Sequence, residues 1–292
     1  MTKVAIIGAK GFIGRHLHWY LQTRKGIIPE CYDIIDVDEP CYHKVNLLDK
    51  DAVAGIDLNV DYIFMMAGLT GTKVGFDKYE QFVNINEIAL LNLLEVIRKS
   101  PFRPKIVFPS SRLVYRGVDK PLKEDDEQDT KTIYAANKLA CEGYLKAYSY
   151  NFDIPFTIFR ICVPYGNMLD NDYSFGTVGF FIKMASMGKN ITMYGGGTIK
   201  RTFTHLFDLC YQMVEGAMNP LSNNQIYNVG GETYSLQAAA EIFAKKYGVN
   251  VVAVPWPEAD LRLESGHTYF DDTKIQKLLG GIEYKHLSEL VE

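Results

Sequence analysis

From the N-terminus to about residue 165, short apolar runs alternate with longer segments in which apolar residues recur at helical spacing. The longer segments predict helices at 76–99 and 132–151. The apolar runs predict strands at 3–7, 32–36, 61–66, 104–109 and 155–161, with a further, third strand ending at Asn46 and Leu47. Nearly all-apolar strands that alternate with helices are typical of a parallel sheet covered on both faces. The predicted fold class is therefore α/β with a doubly wound parallel sheet.

Beyond residue 165 this alternation becomes irregular. Glycine-rich turns, short strands and helices near 207–218, 235–247 and 271–279 indicate a smaller, mixed α/β lobe. We therefore predict two units, residues 1–165 and residues 166–292, with some crossing of the chain between them.

Composition excludes several classes of function. The 292 residues are 47% hydrophobic and carry a net charge of −4 without a basic tract, so we expect no nucleic-acid partner. No apolar run reaches membrane-spanning length and the chain begins directly in a strand, so we expect neither a signal peptide nor a membrane partner. The five cysteines form no CxxC pair and the histidines no HxxxH pair. This pattern favours reduced thiols in a cytoplasmic protein and no metal site.

Three glycines follow the first predicted strand. Gly8, Gly11 and Gly14 stand between that strand and a helix that begins near Phe12. Such a turn lets the backbone approach a dinucleotide pyrophosphate, which the helix N-terminus attracts. Asp36 follows an apolar run, near the offset of roughly 20 residues at which an acid binds the adenosine ribose. A carboxylate there repels a 2′-phosphate, so NAD is expected rather than NADP.

A second group of chemically active residues follows the strand at 104–109. That strand leads into Ser110 and Ser111, and the next helix carries Tyr134 and Lys138 four residues apart on one face. The carboxyl ends of parallel strands form the ligand-binding edge of such a sheet. We therefore expect these side chains to lie beside the dinucleotide.

Together these motifs resemble the extended short-chain dehydrogenase/reductases, the NAD-dependent epimerase/dehydratase family that acts on nucleotide sugars. The motifs occur in the family's order over nearly the whole chain: GxxGxxG at 8–14, Asp36, Ala67–Gly68, Asn86 and Asn92, SSxxVY at 110–115, YxxxK at 134–138, RxxVPYG at 160–166, RTFTHLFD at 201–208, YNVGG at 227–231, and Arg262. The resemblance implies a Rossmann-like sheet, NAD as cofactor and a nucleotide-diphosphate sugar as substrate. It also implies a homodimer that pairs through the helices at 76–99 and 132–151.

Carried over by position, the resemblance makes Tyr134 the catalytic acid/base, Lys138 its electrostatic partner and ribose ligand, and Ser111 the hydroxyl that orients the substrate. The implied cofactor contacts are Gly8, Gly11, Phe12, Ile13, Gly14, Asp36, Asn46, Leu47, Ala67, Gly68, Asn86, Tyr134 and Lys138. The implied substrate contacts are Ser111, Asn167, Thr177, Val178, Tyr194, Arg201 and Arg262, the two arginines acting as phosphate clamps.

The acid/base role of Tyr134 is energetically reasonable. A free tyrosine titrates near ~10, so a base at neutral pH needs a shift of roughly 3 units, about 4 kcal/mol. One cation at ~4 Å in an effective dielectric of ~20 supplies about 4 kcal/mol. Lys138 and a positive nicotinamide ring are therefore expected to activate the phenol without a histidine.

The sequence departs from the family pattern at several positions. Val163 stands where most relatives have an asparagine, which leaves one phosphate contact to Asn167 or to the backbone. Arg112 and Leu113 replace the Asp-Glu pair of the dehydratases, which disfavours dehydration. Thr70 stands where epimerases of the galactose type have a lysine. The leading prediction is an NAD-dependent nucleotide-sugar epimerase. A 4-keto-sugar reductase using NAD(P)H is the alternative, followed by a dehydratase and a non-catalytic dinucleotide sensor.

Overall fold

The computed structural model of the chain describes residues 2–169 and 176–291. The strands in these residues are β1 (Val4–Ile7), β2 (Glu30–Asp33), β3 (Tyr42–Lys44), β4 (Tyr62–Met65), β5 (Lys105–Ser111), β6 (Phe156–Ile161), β7 (Val163–Tyr165), β8 (Ile191–Tyr194), β9 (Lys200–His205), β10 (Gln225–Asn228), β11 (Glu232–Ser235) and β12 (Val251–Val254). Seven of them form a parallel sheet in the order β10-β6-β5-β4-β1-β2-β3. The strand order reverses next to β1, and a ligand crevice is expected at such a point.

The helices connect these strands. They are α1 (Phe12–Tyr20), α2 (Lys50–Ala54), α3 (Val74–Asp77), α4 (Tyr79–Val83), α5 (Ala89–Lys99), α6 (Ile133–Phe152), α7 (Gly176–Ser186), α8 (Leu206–Met218), α9 (Leu236–Tyr247), α10 (Glu258–Leu263) and α11 (Thr273–Leu279). Among the described residues, no helix combines the length and the apolar character that crossing a bilayer requires.

Both faces of the large sheet are buried because successive strand residues point to opposite sides. On one face, Ala5 and Ile7 belong to a core formed with α5 and α6. On the other face, Val4 and Ile6 pack in a core that includes residues of α1, α8 and α11. This double burial explains why the central strands β1 and β4 consist of apolar and aromatic residues. The α/β fold class with a doubly wound parallel sheet is confirmed.

The smaller lobe contains the other two sheets. β11, β9 and β7 form a mixed sheet, and β12 pairs in parallel with β8. The helices α7 and α9 supply its core around Phe181 and Phe243. The chain returns to the large sheet with β10, which pairs with β6, so the two lobes are not consecutive segments of sequence.

The long helix predicted at 76–99 is interrupted. It consists of α3, α4, a π-helical turn at Asn84–Ile88 and α5. π-turns inside helices often lie at functional sites. Here the turn contains Asn86, whose side chain holds the loop that follows β4, as described below.

Candidate active site

The glycine turn packs tightly against the end of the neighbouring strand. Gly8 has a φ of +87°, and a Cβ there would overlap the backbone of Ala67. A Cβ on Gly14 would overlap the carbonyl oxygen of Gly8. Gly11 is the N-cap of α1 and has no side chain to cap this helix. The turn therefore requires glycine for steric reasons, and α1 begins directly after it.

A cavity of about 420 Å³ opens beside this turn, and we call it the glycine cavity. Its walls include the predicted cofactor contacts Gly8, Gly11, Asn46, Leu47, Ala67 and Gly68. Phe12 does not line it, and the Phe12 ring instead packs edge-on against His16. The cavity lies at the reversal of strand order, where a dinucleotide crevice is expected.

The acid in this cavity is Asp33 rather than Asp36. Asp33 ends β2 and lines the glycine cavity, and its carboxylate accepts hydrogen bonds from the backbone N–H of Lys10 at 2.8 Å and of Ile34 at 2.7 Å. The Asp36 side chain is 79% exposed and pairs with Lys44 at 2.7 Å. The structure does not place Asp36 in this cavity, because β2 ends at Asp33, three residues before the predicted strand did.

A second cavity of about 360 Å³, the tyrosine cavity, continues from the first. Met66, Gly68 and Leu69 line both, so the two cavities adjoin. Ser111, Tyr134 and Lys138 all line the tyrosine cavity, together with Ile13 and Thr177 from the predicted contacts. Ser111 ends β5, and Tyr134 and Lys138 lie in the first two turns of α6, whose N-cap is Thr132. The sheet edge therefore brings the three side chains to one place.

Tyr134 is held as a phenol. Burial raises the pKa of Tyr134 to about 12, and a hydrogen bond with Ser111 and the charge of Arg112 oppose that rise only in part. The expectation that Lys138 strongly acidifies the phenol is therefore not met in the protein alone. The Lys138 Nζ lies 5.7 Å from the centroid of the Tyr134 ring.

Lys138 itself is buried, with its Nζ 4.5 Å from the centroid of the Phe108 ring. Burial lowers the pKa of Lys138 to about 8. Among the described residues, no hydrogen-bond acceptor is present for this ammonium, and a Cβ on Gly68 would lie 3.9 Å from its Nζ. A buried donor without a partner costs free energy. Lys138 is thus suited to a ligand with hydroxyl groups, such as the ribose of a dinucleotide.

Asn86 supports the wall between the two cavities. Its Oδ1 accepts a hydrogen bond from the N–H of Leu69 at 2.7 Å, and its Nδ2 donates to the Leu69 carbonyl at 3.2 Å. Asn137 of α6 accepts from the same Nδ2 at 3.3 Å. Asn86 therefore joins the loop after β4 to α6 and does not itself line either cavity.

The two predicted phosphate clamps are engaged elsewhere. Arg201 is buried in β9, where its Nη2 donates to Glu264 at 2.6 Å and its Nη1 donates to the Gly266 carbonyl at 2.5 Å. Arg262 is exposed on α10 and pairs with Glu258. Both guanidinium groups pair with protein acids and line neither cavity, so the structure does not bring these two arginines to the site.

Three other predicted substrate contacts lie apart from the tyrosine cavity. Val178 is fully buried in the core of the small lobe and does not line the tyrosine cavity. The side-chain oxygen of Asn167 lies 3.0 Å from Nε2 of His16 on α1. Tyr194 lines a third cavity of about 230 Å³, the tryptophan cavity, where its ring centroid is 5.0 Å from that of Trp256.

Asp33, Arg112 and Trp256 are among the cavity residues that sequence reasoning missed. Asp33 is the first acid after Cys31 and Tyr32 of β2, and that position could have identified it. Arg112 lines both the tyrosine and the tryptophan cavities, and its place directly after Ser111 was the available signal. Trp256 comes from a loop far along the chain and carries no local motif.

Known proteins resemble the chain over most of its length. A UDP-N-acetyl-alpha-D-glucosaminuronate decarboxylase of Bacillus cytotoxicus is 27% identical over 253 residues, covering 81% of this chain and 77% of that protein. A UDP-glucuronate 4-epimerase of Thermodesulfobacterium geofontis is 26% identical over 245 residues, covering 82% of this chain and 73% of that protein.

Solved structures share the fold. The UDP-glucuronic acid 4-epimerase of Bacillus cereus, in complex with UDP-glucuronic acid and NAD, superposes with a TM-score of 0.85 at 21% identity, covering 99% of this chain and 96% of that one. The UDP-glucose 4-epimerase of Thermus thermophilus, in complex with NAD, gives a TM-score of 0.83 at 23% identity, with coverage of 99% and 96%. The sequence itself matches the NAD dependent epimerase/dehydratase family over residues 4–230, and the chain belongs to that family.

Proposed function

We propose that the protein is an NAD-dependent nucleotide-sugar epimerase. The observation that carries this proposal is the continuity of the glycine cavity with the tyrosine cavity. A dinucleotide held at the glycine turn thus extends toward Ser111, Tyr134 and Lys138. The family to which the chain belongs uses NAD, and two proteins of the same fold were solved with it.

The chain's own groups suit each part of this cofactor. The first turn of α1 attracts the pyrophosphate, and the Asp33 carboxylate, held by two backbone N–H groups, accepts hydrogen bonds from the adenosine ribose. Lys138 donates to the second ribose, which provides the acceptor that its ammonium lacks. When bound, NAD⁺ accepts hydride from a sugar carbon and later returns it.

Tyr134 moves the proton. As hydride leaves the sugar carbon, the proton of the hydroxyl on that carbon passes to the Tyr134 oxygen, which must be in its phenolate form, and the carbon becomes a ketone. Ser111 orients the same oxygen by a hydrogen bond. When hydride returns to the opposite face of the turned ketone, Tyr134 gives the proton back, so oxidation and reduction balance. The charge of Arg112 lowers the pKa of Tyr134 in part, and the positive charge of a bound NAD⁺ would act in the same direction and favour the phenolate.

The substrate is a nucleotide-diphosphate sugar. The names of the similar proteins point to UDP-sugars, since they include a UDP-glucuronate 4-epimerase and a UDP-glucose 4-epimerase. Tyr194 and Trp256, at the tryptophan cavity, provide aromatic surface for the nucleotide end. Among the described residues, no carboxylate lines the tyrosine cavity.

The purified protein tests this function directly. Thermal unfolding with UDP-, GDP-, CDP- and dTDP-sugars identifies the ligand, since a ligand that binds only the native state raises its stability. The selected sugar is then incubated with protein and NAD⁺. We expect conversion to an epimer, from either direction, without net formation of NADH. Stoichiometric consumption of NADH would instead identify a reductase, and conversion without any nicotinamide cofactor bound would contradict the proposal.

We also propose that two copies pair through the segment of α3 to α5 and through α6. Phe76 and Tyr79 in this segment are 50% and 56% exposed, which leaves apolar surface for a partner. Sedimentation velocity should give a mass twice that of the chain. A single-chain mass at micromolar concentration would contradict the dimer.

A further inference from the structure

Arg112 occupies the wall between two cavities. It begins the 3₁₀ turn Arg112–Val114 directly after β5 and lines both the tyrosine cavity and the tryptophan cavity. Its chain neighbour Ser111 lines the tyrosine cavity together with Tyr134 and Arg112, so a sugar bound in that cavity would lie close to this guanidinium. Arg112 is half-buried.

The guanidinium of Arg112 has no acid to neutralise it. Its Nη1 donates to the hydroxyls of Ser265 and Thr268, each at 3.0 Å, and among the described residues no carboxylate lies within 4.0 Å. Other arginines of the chain differ in this respect: Arg160 pairs with Glu142 and Arg116 with Glu127.

The acids that line the tryptophan cavity do not neutralise the charge of Arg112. Glu264 accepts from Arg201 at 2.6 Å and from the Gly266 N–H at 2.9 Å, and Asp260 lies 4.0 Å from Lys73. Each acid thus already has a cation, and Arg112 remains as an excess positive charge. A partly desolvated guanidinium of this kind favours an anionic ligand that can accept its remaining N–H groups.

We propose that Arg112 binds a carboxylate on the sugar of the substrate, which makes a nucleotide-linked uronic acid the preferred substrate class. The proposal rests on the proposed epimerase function. A carboxylate on the carbon next to the reacting carbon matches the adjacency of Arg112 to Ser111. The alternative is that Arg112 binds the diphosphate of the substrate. The diphosphate is the same in acidic and neutral nucleotide sugars, so that contact would not favour either one, whereas a contact with the sugar carboxylate would favour the acidic one.

Calorimetric titration with UDP-glucuronate and UDP-glucose, in the presence of NAD⁺, separates these cases. We expect the unmodified protein to bind the acidic sugar about 10- to 100-fold more tightly, the range of one charge-assisted hydrogen-bonded pair. Arg112→Gln should reduce this ratio to about 1, and Arg112→Lys, which keeps the charge but loses the planar fork, should give an intermediate ratio. The ratio should also fall as salt is raised.

Arg116→Gln is the matched control, because Arg116 pairs with Glu127 on the surface and lines none of the three cavities. It should keep the ratio of the unmodified protein, and thermal unfolding checks that each variant is folded. Equal affinities in the unmodified protein, or a ratio that survives Arg112→Gln, overturn the inference and leave the epimerase proposal intact. If neither UDP-sugar binds, the proposed function fails, and the inference fails with it.

Discussion

Lys138 carries its ammonium in a buried position between the Phe108 ring and the loop at Gly68. Burial lowers the pKa of Lys138 to about 8, so at neutral pH the folded protein keeps a charge that water would solvate better. Catalytic residues commonly have such perturbed pKa values. The arrangement implies that Lys138 serves a ligand at the expense of stability.

Replacing Lys138 with methionine should separate these two effects. At pH 7 we expect Lys138→Met to raise the free energy of unfolding, by up to about 3 kcal/mol, and to weaken NAD binding. The folded-state pKa lies below that of the unfolded chain, so the stability cost of Lys138 is complete below about pH 8 and disappears toward pH 10.5. The gain of the variant should therefore shrink over this interval. Denaturant unfolding measured across pH tests this, and a gain that is independent of pH would contradict it.

Tyr134→Phe should abolish proton transfer and leave the fold in place. Removing a general acid/base typically lowers turnover about 100- to 10,000-fold. We expect a loss in that range for interconversion of the selected nucleotide sugar, with NAD still bound. Tyr150→Phe on the same helix is the control, because the Tyr150 side chain is 89% exposed. Turnover by Tyr134→Phe near the rate of this control would exclude the role assigned to Tyr134.

At the scale of elements, the first turn of α1 depends on a close backbone approach. Gly14→Ala should destabilise the protein by about 1–3 kcal/mol and weaken NAD binding, because the new Cβ overlaps the Gly8 carbonyl. Gly143→Ala, in the interior of α6, meets no atom within 4 Å and should stabilise by about 0.5–1 kcal/mol. Chemical unfolding of both variants measures the contrast. If both substitutions stabilised the protein, the turn would not be sterically constrained.

The positions at which strands end and helices begin explain which site residues could be identified from the sequence. Ser111, Tyr134 and Lys138 lie together because a strand end and the first turns of the next helix must meet at the sheet edge. Asp36 lies outside the glycine cavity because β2 ends earlier than predicted, and an apolar pattern defines the end of a strand only to within a few residues. The pairing of Arg201 with Glu264 could not be predicted, because Glu264 lies far along the chain and no local pattern reveals it.

At the scale of the whole molecule, the return of the chain to the large sheet makes the lobes interdependent. The boundary predicted at residue 165 cuts off α8, β10 and α11, which cover one face of the sheet and its outer edge at β6. A fragment of residues 2–165 would expose Ile6, Phe64 and Phe159, all of them buried in the complete chain.

We therefore expect the fragment 2–165 to lack cooperative unfolding in urea, because losing a core face costs more than the few kcal/mol by which a domain is stable. Co-expression with residues 166–292 should restore a cooperative transition, since that segment supplies β10 and α8. Circular dichroism and limited proteolysis measure both states. If the fragment alone unfolded cooperatively and retained NAD, the sheet would be complete without β10, and residues 1–165 would be an independent cofactor-binding domain.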